Sequence, residues 1–210
     1  MAVEKSFFRQ VLGNFATGVT VVTTRSQGVP AGITVNAFCS VSLNPPLVLV
    51  CIDYNSTTLP LLRESKIFAV NMLAAEQEAL SRCFSGTSDE RTEHFCHAQY
   101  HTVATGAPIL DGALAFVDAR IVTEYPGGDH AIFIGQVEAL GAHGSIAFAS
   151  EQGEALIDDT RKASDKLISP DEAHPLLFYQ GQYRHLTSKY HEPTTTPKPE
   201  YDGTAGKQVR

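Results

Sequence analysis

The sequence predicts a mainly β fold with flanking helices, a barrel rather than a βαβ sheet. Three observations carry that reading. Short β-branched or apolar runs outnumber helical ones. Gly and Pro punctuate those runs at close intervals, as in sandwiches and barrels. No GxGxxG follows a first strand, so the parallel dinucleotide-binding sheet has no support.

Taken in order, Ser6 to Ala16 reads as a helix, with Phe7, Phe8, Val11, Leu12 and Phe15 at helical spacing and Gly18 as its stop. Val19 to Thr24 is β-branched throughout, and Gln27-Gly28-Val29-Pro30 is a turn. Ala31 to Leu43 is one extended run closed by Asn44-Pro45-Pro46. Leu47 to Asp53 is nearly continuous apolar sequence, which predicts a strand covered on both faces. Thr57 to Ser65 and Ala75 to Phe84 read as helices flanking a strand from Ile67 to Leu73. A polar stretch runs from Ser85 to about Gly106. Leu114 to Glu124 and Ala131 to Ala139 pair through a Tyr125-to-His130 loop dense in turn formers.

At 210 residues the chain holds one domain, residues 1–186. It carries a polar insertion at about 144–173, with a helix near Ile157 to Lys166, and a disordered tail at 187–210. The 16 Lys+Arg against 23 Asp+Glu give a net charge of −7 with no basic block, which argues against nucleic acid. No signal core and no 18-residue apolar run is present, so neither export nor a membrane helix is expected. Cys39, Cys51, Cys83 and Cys96 form no CxxC pair, and the sequence reads as a cytoplasmic protein with reduced thiols. His94, His97 and His101 would share a face only on a helix; the interleaved Phe95, Cys96 and Tyr100 favour a loop, and no metal site is expected.

The usual catalytic motifs are missing: no GxSxG, no HExxH, no phosphate loop. What stands out is a run of small polar side chains. On one extended strand Thr34, Asn36, Phe38, Ser40 and Ser42 would line a single face. That face is either a solvated sheet edge or a groove for a flat ring with polar edges. Asn55-Ser56-Thr57, before a helix, supplies hydroxyls and free N–H groups of the kind that hold phosphate, or simply a cap.

The run AGITVNAFCSVSLNPPLVLVCIDYNST resembles the flavin-binding signature of the flavin reductase-like family, the split β-barrels that include reductase components of two-component monooxygenases. FRQVLGNFATGVTVVTT, FAVNMLAAEQEALSRCFS, TGAPILDGALAFVDARIVTEYPGGDHAIFIGQVEAL and PLLFYQGQYRHL fit the same family in order. The resemblance implies a ring and ribityl site at Thr34, Asn36, Ala37, Phe38, Ser40, Val41 and Ser42, with Cys51, Ile52 and Asp53 on the adjoining strand. It implies a phosphate turn at Ser56 and Thr57, nearby contacts from Ser81 and Phe84, and a contribution from Tyr183. His130 matches a histidine beside the nicotinamide, the one residue given a catalytic role. Phe38 and Phe84 also read as core aromatics, Cys51 as a packing residue and Asp53 as a turn cap.

The implied activity is hydride transfer from NADH or NADPH to FMN or FAD, in a homodimer that passes reduced flavin to a monooxygenase. The connection from His143 to His174 exceeds the family's usual length and is expected to shape access to the flavin. Two alternatives use the same face: a flavin-binding electron carrier or storage protein without NAD(P)H turnover, and a barrel binding another planar ligand such as haem.

Overall fold

The computed structural model describes residues 3–142, 145–149, 156–158 and 174–186. Its strands are β1 (Thr17–Gly18), β2 (Thr20–Ser26), β3 (Val29–Val35), β4 (Phe38–Leu43), β5 (Pro46–Asp53), β6 (Ile67–Met72) and β7 (Tyr100–Thr102). They continue as β8 (Pro108–Leu110), β9 (Ala115–Gly127), β10 (His130–Ala142), β11 (Ser145–Phe148), β12 (Leu156–Asp158), β13 (Leu177–Tyr179) and β14 (Gln182–Arg184). The helices are α1 (Lys5–Leu12), α2 (Leu59–Ser65), α3 (Glu78–Ser85) and α4 (Asp89–Thr92).

The barrel wall runs β3-β2-β6-β9-β10-β5-β4, every pair antiparallel. Its two ends, β3 and β4, are consecutive in the chain, yet no ladder joins them among the described residues. This unpaired seam makes the barrel split. The long β10 serves two neighbours on one edge: His130 to Gln136 pair with β5, and Ala139 to Ala142 pair with β11.

Alternation along β2 explains how two cores meet at one strand. Val22 points into the barrel with Val50, Phe68, Phe133 and Ile52. Val21 points out, into a second core under α3 and the β13–β14 hairpin with Phe84, Phe95 and Leu176. Both faces of β2 are therefore covered, and its threonines find backbone acceptors: Thr20 Oγ1 donates to Val35 O at 2.7 Å and Thr24 Oγ1 to Ile67 O at 2.8 Å. Gly32 on β3 is required by the same packing, because a Cβ there would lie 2.7 Å from the Phe84 ring.

Several sequence expectations need correction. Full coverage belongs to β2 rather than β5, where Val48, Val50 and Ile52 are buried and Leu47, Leu49, Cys51 and Asp53 only half so. The first helix stops at Leu12, because Gly13 caps it and its N–H bonds Arg9 O at 2.8 Å. Ala31 to Leu43 is two strands, broken at Asn36-Ala37. The segment from Ala75 is a 3₁₀ turn followed by α3. The Tyr125–His130 loop contracts to a tight hairpin turn at Gly128-Asp129, with Gly128 at φ +73°. Of the helix near Ile157 to Lys166, Ile157 and Asp158 lie in β12 and the rest falls outside the described residues, as does the 187–210 tail. Most of the 144–173 insertion also lies outside them.

The thiols differ too. Cys83, on α3, is disulfide-bonded to Cys96, while Cys39 and Cys51 are free. Spacing alone does not reveal the bond, because the chain doubles back between the two positions. His94 and His97 stack in a turn while His101 sits on β7 against Asp111, so they share no face. Among the described residues no group of three or more His, Cys, Asp or Glu could hold a metal ion, and no helix is long and apolar enough to cross a membrane.

Candidate functional site

The site grows out of the seam. Asn36 and Ala37 carry the chain from β3 to β4 across the open side of the barrel, and both are exposed. Cys51 N donates to Ala37 O at 3.1 Å, tying this crossing to the end of β5. Across β5, Cys51 faces Ile132 and Asp53 faces His130. Paired residues share a face, so Cys51, Asp53 and His130 stand together on the outer side of the wall. Burial pushes the Cys51 thiol up, which suits a packing group rather than a nucleophile.

Asn36 lines three adjoining clefts. The largest, about 890 Å³, also takes in Thr34, Glu78, Arg82, Ser85 and Tyr183. A hydrogen-bond chain shapes its wall: Thr34 Oγ1 donates to Ser81 O at 2.7 Å, and Ser81 Oγ lies 2.8 Å from the Tyr183 hydroxyl. The Arg82 guanidinium sits 4.6 Å over the Tyr183 ring and bonds Glu78 Oε1 at 2.6 Å, holding the Glu78 carboxyl below its ordinary range.

The other two clefts, about 470 and 410 Å³, share Phe15, Thr17, Asn36 and Phe38. Here the Thr17 hydroxyl is buried with no hydrogen-bond partner among the described residues. Native proteins rarely leave such a group unpaired, and its position beside Asn36 fits a ligand with polar edges.

A third feature lies past the other end of β3. Ser56 Oγ accepts from Thr58 N at 3.2 Å, and Asp53 Oδ1 accepts from Asn55 N at 2.7 Å, so Asp53 does cap the turn. Thr57 and Thr58 border a cavity of about 140 Å³ with Gly32 and Arg91. Arg91 is only 6% exposed. Its Nε donates to Gly32 O at 2.9 Å, one terminal nitrogen to Gly86 O at 2.6 Å and the other to Thr58 Oγ1 at 2.9 Å. All three partners are neutral, and burial lowers its pKa from the usual arginine value. A buried cation without a carboxylate among the described residues, next to Thr57, suits an anionic group such as a phosphate.

His130 opens β10 with Nδ1 2.6 Å from Asp129 Oδ1, its side chain 40% exposed. The bond holds the Asp129 carboxyl below its usual range. With Nδ1 donating to Asp129, Nε2 is the free position on the ring.

The structure brings together Thr34, Asn36, Ser81 and Tyr183 around one cleft, and Asn36, Ala37, Phe38 and Cys51 around another. It does not place Thr34 through Ser42 on one face. Thr34 pairs with Val21, on the outer side; Phe38 pairs with Val50 and packs on the barrel core. A bulge then inserts Val41, so Ser40 sits opposite Val48 and Ser42 opposite Leu47, on different faces. Ile52 and Phe84 are wholly buried, so neither faces a cleft. Thr17, Arg82 and Arg91 escape sequence reading. Thr17 hides beside a glycine read as a stop, and Arg91 hides in the run DERTEH, which looks like a solvated surface.

The chain is similar to known proteins over most of its length. A family model described as flavin reductase like domain matches residues 12–187. The reductase subunit HsaB of a flavin-dependent monooxygenase from Rhodococcus jostii is 35% identical over 182 residues, covering 87% of this chain and 78% of that one. The FMN reductase (NADH) RutF of Ancylobacter novellus is 38% identical over 152 residues, covering 70% and 83%. The NADH:FAD oxidoreductase SgcE6 of Streptomyces globisporus, solved in complex with NAD and FAD fragments, aligns with a TM-score of 0.69 at 30% identity, covering 90% and 99%. With its split barrel and the clefts at its seam, this chain belongs to the flavin reductase-like family.

Proposed function

We propose that the protein is an NAD(P)H:flavin oxidoreductase that reduces FMN or FAD with NADH or NADPH and releases reduced flavin to a partner monooxygenase component. The observation that carries this reading is the seam, where Asn36 borders three clefts beside a Thr17 hydroxyl that has no partner among the described residues. When bound, the flavin ring supplies the hydride acceptor.

The chain's own residues bind and orient. Asn36, Ala37 and Thr17 offer polar groups to the ring edge, with Phe38 and Cys51 as the apolar floor. Thr34, Ser81 and Tyr183 form a linked wall for the polar chain that follows. Ser56 and Thr57 hold the phosphate, and Arg91 adds fixed positive charge behind them. His130, its ring set by Asp129, orients the nicotinamide carboxamide through Nε2. Ser40, Val41 and Ser42 follow Phe38 on β4 and join the site only as the family resemblance implies, while Phe84 supports it by packing on Gly32.

Two copies form a homodimer through the exposed apolar face of α1. The protein works in the cytoplasm, where its nucleotide substrates are made. Residues 1–186 form the catalytic domain, and the 144–173 insertion shapes access to the flavin.

Steady-state NADH and NADPH oxidation with each flavin in turn tests this. Oxidation that depends on added flavin is the expected result. Flavin binding without turnover would leave the electron-carrier reading in its place.

A further inference from the structure

Cys83 and Cys96 are bonded across a stretch that is otherwise poorly anchored. From Ser85 to His94, Arg91 is the one buried residue; Gly86 is half-buried and the rest are exposed. No apolar side chain in that stretch holds it down. At its far end Phe95, Cys96 and His97 have φ of 50°, 54° and 52°. Three successive side-chain-bearing residues seldom hold that left-handed region without an external restraint. The disulfide, together with Phe95 packed 5.0 Å from Phe84, supplies it.

The tethered loop carries Arg91, whose hydrogen bonds join β3 at Gly32, the end of α3 at Gly86 and the start of α2 at Thr58. Thr57 and Thr58 border the same cavity. Both half-cystines are half-buried, so an incoming thiolate can reach the bond.

We propose that Cys83 and Cys96 are a thiol–disulfide exchange site, acted on by a dithiol reductant, that sets flavin affinity through Arg91. A thiolate of the reductant attacks one sulfur of the bond and gives a mixed disulfide. Its second thiol then displaces the protein sulfur. Two electrons and two protons pass to the protein, which ends with two thiols, and the reductant ends as its disulfide. Released from Cys83, the 95–97 turn relaxes toward ordinary backbone and the Arg91 loop loosens. The fixed charge behind Ser56 and Thr57 is lost, and flavin binds more weakly. Where disulfides occur in a reducing compartment they are usually transient, and catalytic or redox-sensing.

The inference rests on the phosphate role given above to Ser56, Thr57 and Arg91. The test uses full-length protein in two states, air-oxidised and dithiothreitol-reduced, with thiols counted in each. FMN affinity is read by fluorescence titration and turnover by NADH oxidation at saturating FMN. Reduction should expose two additional thiols and weaken FMN binding about five- to twentyfold. The NADH KM at saturating FMN should change less than twofold. The Cys83→Ser/Cys96→Ser protein should match the reduced state and ignore the reductant. Equal FMN affinity in the two states, at verified thiol counts, would overturn the switch, as would four free thiols in protein purified under air. An oxidised protein that binds no FMN and oxidises no NADH would instead remove the flavin-reductase reading itself.

Discussion

His130 and Thr17 hold opposite sorts of position. The His130 side chain is braced by Asp129 through Nδ1 and is 40% exposed. Replacing it with Ala removes one oriented hydrogen bond, worth about 1–1.5 kcal/mol, or roughly tenfold in affinity. That loss should fall on the NADH KM and leave the flavin KM nearly unchanged. Steady-state kinetics with each substrate varied will show it, and an equal effect on both constants would exclude the assigned role. Thr17→Val makes a sharper pair of expectations. Valine keeps the shape while removing a buried hydroxyl that has no partner among the described residues. The free protein should therefore melt at the same or a higher temperature, while flavin affinity falls by roughly five- to tenfold. A fall in both would make Thr17 an ordinary structural residue.

At the scale of elements, the sequence shows strand content well and strand grouping poorly. Val19 to Thr24 reads correctly because β-branched runs are locally determined. The Ala31 to Leu43 run misleads because no residue type announces the break at Asn36-Ala37 or the bulge at Val41. Both depend on partners distant in sequence: Val21 across from Thr34, and Val48 and Leu47 across from Ser40 and Ser42. Ser56, Thr57 and His130 carry a signal in the sequence because turn chemistry and family pattern coincide there. Arg91 carries none, since its burial comes from β3 and α2 closing over it.

Asp118 on β9 gives the element scale its own test. Its buried carboxylate accepts from Ala104 N and Thr105 N, both at 2.9 Å, and from the Thr105 hydroxyl, pinning the loop before β8 to the wall. Burial nevertheless raises its pKa above the ordinary 3.8. A raised carboxyl binds its proton more tightly in the folded chain. Its stabilising share is complete below 3.8 and declines as pH rises through the folded value. Wild type should thus lose stability relative to Asp118→Asn across that interval, as urea midpoints measured at stepped pH will show. A constant difference would contradict the raised pKa.

Across the whole molecule, the most conspicuous surface is α1 and its continuation. Phe7, Phe8, Val11, Leu12 and Phe15 are 59%, 53%, 52%, 55% and 77% exposed, and no residue of the helix is buried. A monomer rarely leaves so much apolar area together in water. Each such side chain gains about 1.5–3 kcal/mol when buried, so several together can hold a dimer. Phe8→Glu with Phe15→Glu should shift sedimentation from dimer to monomer. An unchanged sedimentation coefficient would rule out α1 as a dimer interface.

The seam between β3 and β4 has a consequence for how the barrel moves. Elsewhere in the wall, parting two strands means breaking a ladder of backbone hydrogen bonds; here there is none to break among the described residues. What opening disturbs is the packing of Ile33, Val35 and Phe38 on the interior. Low-energy excursions should therefore begin at this line, as hydrogen exchange would detect. The Asn36 and Ala37 amides should exchange through small fluctuations, and those of Val22, Val70 and Phe133 only when the whole barrel unfolds. The fold would then be softest where a ring-shaped ligand has to enter and leave.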